Sequence, residues 1–187
     1  AHLPAWVSYT VANGLMWSGV VMQALALRRA LDRGLVLKRA ALLIMICVLG
    51  FEFFRVVLQD AILRFSWSTL IFTGLFSYIS YLSWRIAAVH QLKSGKWLSV
   101  VYAITAITML IRTKLVVSGV TEPDVVASGI DSVLTVFTGL LISILGNFAF
   151  VGMFLERSTQ GQMKAIAERA RQEESARLGD QIAQLER

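Results

Sequence analysis

The sequence predicts an all-α membrane protein: a polytopic bundle of about five spans whose last helix continues as a cytoplasmic, coiled-coil-like stalk. Three observations predict it. Of the 187 residues, 56% are hydrophobic and 16% charged, and the apolar ones come in blocks near the roughly twenty residues that a bilayer-crossing helix needs. The basic residues cluster in alternate connections between these blocks. The last block then runs, without a proline, into a charged tail ending RLGDQIAQLER. A helix over Asp131–Arg187 is roughly 85 Å long at 1.5 Å per residue, and about a third of it fits in hydrocarbon. The chain therefore divides at Leu155 into a transmembrane bundle, 1–155, and a cytoplasmic linker helix, 156–187.

The charge of +6 suggests nucleic acid until its distribution is read. The tail balances six basic residues with six acidic ones, so the excess lies wholly in 1–155, at the edges of spans. That is a topology signal, and no nucleic-acid partner is expected. Cys47 lies alone in an apolar run, which leaves no disulfide framework and no cysteine metal site. His2 and His90 fall at opposite ends of the bundle, so neither a bis-histidine haem nor a zinc site is expected. No cofactor is predicted. The start at Ala1, without a signal sequence, reads as a processed chain or a piece of a longer one.

The spans are read at 5–27, 40–62, 69–91, 97–118 and 132–155. Loop one carries Arg28, Arg29, Arg33, Lys38 and Arg39 against Asp32, and loop three adds Arg85, Lys93 and Lys96. The opposite edge carries Arg55, Arg64, Arg112 and Lys114 against Glu52, Asp60, Glu122, Asp124 and Asp131. The positive-inside rule puts the first edge in the cytoplasm, with the N-terminus outside and the tail inside.

In the first span, Pro4 suits a helix start, and Trp6 and Tyr9 an interfacial belt. Gly14 and Ser18 allow close helix approach, while Asn13 and Gln23 are suited to interhelical hydrogen bonds. The second span is the unusual one. Glu52 and Arg55 are three residues apart on one helix face and can pair. Gln59 follows one turn later with Asp60 beside it. Counted from Lys38, Glu52 lies roughly 21 Å up the helix, in the outer half. Charges at this depth turn inward, and the group reads either as a signal-receiving pocket or as an ion pair that fixes packing.

The third span places Thr73, Ser77, Ser80 and Trp84 on one face, which reads as helix packing. The fourth sets Thr105, Thr108 and Arg112 on one face. Arg112 either snorkels to the outer headgroups or joins Glu52, Arg55 and Asp60. The fifth carries Thr135, Gly139, Ser143 and Asn147 at four-residue steps, a strip for close packing within the bundle or between two copies. In the tail, Met163, Ile166 and Ala170 form one apolar seam, and Leu178, Ile182 and Leu185 a second. The register slips by one residue between them. Such an interrupted seam suits a long coiled coil less well than a bistable linker, and equally reads as a solvated helix with a minor dimer contact.

The segment Arg177–Arg187 resembles the lead into the dimerisation and phosphoacceptor helix of bacterial sensor histidine kinases. The membrane part resembles the multi-span sensor modules that precede histidine kinase or diguanylate cyclase domains. Leu3-Pro4, Ala12-Asn13, Gly19 and the basic loop are similar to the third span of a seven-span module. The resemblance implies two further spans before Ala1 and a phosphorylated histidine beyond Arg187. It also implies a homodimer through 156–187, a kinase domain downstream and a response regulator as partner. On this reading the chain has no catalytic residue of its own. The other classes are a cyclase sensor module, a small transporter, and a structural subunit of a larger complex.

Overall fold

A computed structural model of the chain describes residues 10–34, 36–122 and 130–185. Among the described residues all regular structure is helical: α1 (Ala12–Ala30), α2 (Leu37–Glu52), α3 (Ala61–His90), α4 (Lys93–Val117), α5 (Ile130–Leu140) and α6 (Asn147–Leu185). Two stretches between these helices are wound wider, as π turns: Phe53–Val57 at the end of α2, and Leu141–Gly146 between α5 and α6; Thr10–Val11 carry the same winding ahead of α1. The second joins α5 and α6 into one rod, the last helix.

Among the described residues, four helices are long and apolar enough to cross a membrane: Leu37–Val57, Ala61–His90, Lys93–Val117 and Val136–Leu178. The remaining predicted span is described only from Thr10 onward, and Pro4, Trp6 and Tyr9 lie outside the described residues. Large apolar side chains cover the outside: Leu15 is 68% exposed, Leu49 60% and Phe148 76%. A monomer in water does not tolerate a continuous apolar exterior, whereas hydrocarbon does.

The antiparallel pair α3–α4 is the spine. Three contacts set its register. Thr113 Oγ1 donates to Thr69 Oγ1 at 2.7 Å. Ser80 Oγ donates to the Ser99 carbonyl at 2.8 Å. Near the turn, the position of a Cβ on Gly95 is 3.0 Å from Ala87 Cβ, so the backbones approach closely there. The packing face of α3 is thus Thr69, Phe72, Phe76, Ile79, Ser83 and Ala87, all buried. Of the polar face expected on this span, Ser80 alone lies on the seam with α4, while Ser77 and Trp84 are exposed.

The turn between α2 and α3 differs from expectation. It comprises Leu58, Gln59 and Asp60, and α3 starts at Ala61, well before the predicted span. The π turn, closed by Leu58 N–H on the Phe53 carbonyl at 3.2 Å, uses up the residues that would have extended α2. Gln59 has a left-handed φ of 51°. It is therefore in the turn and exposed, not one turn along the stripe of Arg55. Asp60 is the N-cap of α3: its Oδ1 accepts from Leu63 N–H at 2.9 Å.

α1 and α2 lean on α3, and the last helix leans on α4. Gly14 of α1 takes Val48 of α2 at close range, 3.6 Å from the position of a Cβ. The last helix buries Thr138, Gly146 and Met153 against the bundle.

Candidate functional site: two ends of one bundle

The loop-two end of the bundle holds the charges that the sequence singled out. The Glu52 carboxylate receives Arg55 twice, Nε at 3.0 Å and Nη2 at 2.5 Å, and also takes the hydroxyl of Thr10. Both of these donors reach Oε2, and Nε also reaches Oε1 at 3.2 Å, so the ion pair is held by charge-assisted hydrogen bonds to both oxygens. Its side chains are 22% and 25% exposed, so it lines the edge of the bundle and is not sealed inside. Arg64 stands 5.9 Å from the centroid of the neighbouring Phe51 ring.

Of the five residues predicted here, Glu52 and Arg55 meet, Gln59 and Asp60 shape the turn, and Arg112 packs over a ring of α3. Arg112 is 4% exposed, with its guanidinium 5.0 Å from the Phe65 ring of α3. Thr10, which sequence reading passed over, is the third member at Glu52.

From Phe51 an aromatic column runs inward. Its ring centroids are 5.8 Å apart for Phe51–Trp17, 6.0 Å for Trp17–Phe72, 5.6 Å for Phe72–Phe76 and 5.6 Å for Phe76–Tyr102. These spacings suit offset or edge contacts. The column ends where Tyr102 Oη donates to Gln23 Oε1 at 2.7 Å. The same Oη is 3.6 Å from the position of a Cβ on Gly146, the last residue of the second π turn. Sequence reading missed Tyr102, because a tyrosine in an apolar run gives no local sign of its partner.

At the opposite end the last helix leaves the bundle, and two charged side chains pin it there. Glu156 accepts the backbone N–H of Lys93 at 3.2 Å and of Ser94 at 3.1 Å. These are free donors of the first turn of α4, where the helix dipole favours an anion. Arg157 Nη1 donates to the Ala30 carbonyl at 2.7 Å, at the last residue of α1, where the dipole favours a cation. Partial burial would raise the Glu156 carboxyl. The hydrogen bonds from Ser94 and Lys93, with the Lys93 charge, outweigh it and hold the group below its ordinary 4.5. The clamp puts the ends of α1 and α4 and the start of the tail at one end of the bundle, as alternating loops require.

Gly139, Ser143 and Asn147 face away from the bundle and are exposed. Asn147 Nδ2 donates to the Ser143 carbonyl at 3.0 Å. The side chain of Thr135 lies outside the described ones. Beyond the clamp α6 is unbroken to Leu185. Met163 is 63% exposed, Ile166 61% and Leu178 54%, and Ala170 is also exposed. The side chains of Ile182 and Leu185 lie outside those described.

No family model, no curated protein and no solved structure matches the chain. Its function is therefore read from its own residues.

Proposed function

We propose that the chain is the membrane-embedded sensing and relay module of a bacterial sensor histidine kinase. In this reading α1 completes a set of five spans, with the N-terminus outside and residues 156–187 in the cytoplasm. A stimulus in the membrane or periplasm changes the packing around Glu52, Arg55 and Thr10. The change passes through the bundle to the last helix, and residues 156–187 carry it, as a dimer, to a downstream kinase that phosphorylates a response regulator.

The observation that carries the reading is the last helix itself. It packs in the bundle, is pinned at Glu156 and Arg157, and continues into the tail without a break. A helix so built cannot shift in the bundle without shifting the tail, and displacements of about 1–2 Å suffice for switching. The aromatic column is a second support, since it joins the Glu52 end to Gly146 through packed rings.

The test uses the intact protein in native membranes. Glu52→Gln with Arg55→Gln is expected to change the dependence of autophosphorylation on stimulus, while the protein still inserts and accumulates normally. Autophosphorylation that responds as in the parent removes the pair from the mechanism. Absence of any phosphotransfer from the parent protein overturns the kinase reading.

A further inference from the structure

The second π turn and the clamp lie on the same helix, one above the other. In the turn, Asn147 N–H reaches the Ile142 carbonyl, five residues back. A π turn of this kind holds one residue more than the α-helix around it. If the turn rewinds as α-helix with its residues kept, everything below it rotates by about 100° and advances by about 1.5 Å.

The turn is held on its inner side only, where Ile142 packs against the core. Ser143 is exposed, Ile144 is 48% exposed and Leu145 50%. Gly146, its buried residue, leaves an ordinary contact distance to Tyr102. Below the turn the phase of the helix is fixed by the clamp together with buried Met153, since a rotation of that size carries Glu156 off α4, Arg157 off α1 and Met153 out of the core. The tail is built to read the same step. Its seams, Met163–Ile166–Ala170 and Leu178–Ile182–Leu185, are out of register by one residue. A one-residue rotation in the right sense therefore brings the second seam to the direction that the first one held.

We propose that the π turn and the Glu156–Arg157 clamp form a one-residue rotary switch in the last helix. The proposal rests on the relay reading and names its conformational step. With the clamp closed, the spare residue is stored in the π turn. With the clamp open, the turn rewinds and the tail changes the seam it presents.

The test reads the phase inside one chain. A Cβ on residue 152 stands 3.6 Å from Ser94 Cβ, within the range that a disulfide spans. Ser94→Cys with Gly152→Cys, in a Cys47→Ala background, is oxidised in membranes of the intact protein. The pair is expected to close readily. Adding Glu156→Gln and Arg157→Gln is expected to lower the rate of closure about tenfold, as two charge–dipole contacts are lost. Deleting Ile144 removes the spare residue and is expected to restore closure in that clamp-opened chain. Deletion of Ser143 provides an independent second variant.

Closure that ignores the clamp substitutions overturns the switch. So does a failure of both deletions to close the pair while the clamp is intact, because the turn then holds no spare residue. If the disulfide pattern is as expected but kinase output does not follow it, the relay reading fails and the switch stands.

Discussion

At the scale of single residues, close approach and charge placement make the sharpest demands. A Cβ on Gly50 would meet the Trp67 ring at 2.5 Å. Trp67 is held there by its Nε1 donating to the Cys47 carbonyl at 3.2 Å. Gly50→Ala must therefore displace a large ring and its hydrogen bond, and is expected to cost about 1–3 kcal/mol. Thermal unfolding in detergent, followed by tryptophan fluorescence, measures it. Glu156 gives a pH signature. Its folded-state value is depressed, so its contribution is complete above the unfolded 4.5 and is lost as pH falls through the lower folded value. Glu156→Gln is expected to lower the unfolding temperature at neutral pH, with the gap closing as pH falls below 4.5. A constant gap would assign its cause to packing. The sequence exposed Glu52 and Arg55 because charge inside an apolar run stands out. It could not expose Glu156, which looks like any first polar residue after a span and whose partners lie 62 and 63 positions away.

At the scale of elements, apolar blocks located the helices, because lipid demands continuous apolar length whatever the packing. Their ends were less legible. The boundary of α3 was set by the Asp60 cap and by the residues the first π turn consumes, and neither alters hydropathy. Polar patterning on α3 also misled, since Thr73 satisfies its hydroxyl on the Thr69 carbonyl of its own helix at 2.8 Å. Ser80 does reach α4, and Tyr102 joins α4 to α1. Tyr102→Phe removes that hydrogen bond and leaves Gln23 without it, at an expected cost of about 1 kcal/mol. It is also expected to loosen the second π turn, raising hydrogen exchange at Gly146 and Asn147. Unchanged exchange there would separate the aromatic column from the last helix.

At the scale of the whole molecule, α6 runs from the bundle into the tail and is pinned by the clamp where it leaves. The all-helical class, the long apolar helices and the exit of the tail were all legible in the order of apolar and charged blocks. The clamp was not, since it is made by three elements meeting. The most direct measurement of the relay inserts one to four alanines after Gly161, below the clamp, and follows autophosphorylation of the intact protein. Each inserted residue turns the tail by about 100° relative to the bundle. Output is expected to be disturbed by one or two residues and recovered by three or four, as the phase comes back round. Output that ignores the insertions, or falls steadily with their number, contradicts a signal carried by a rigid helix.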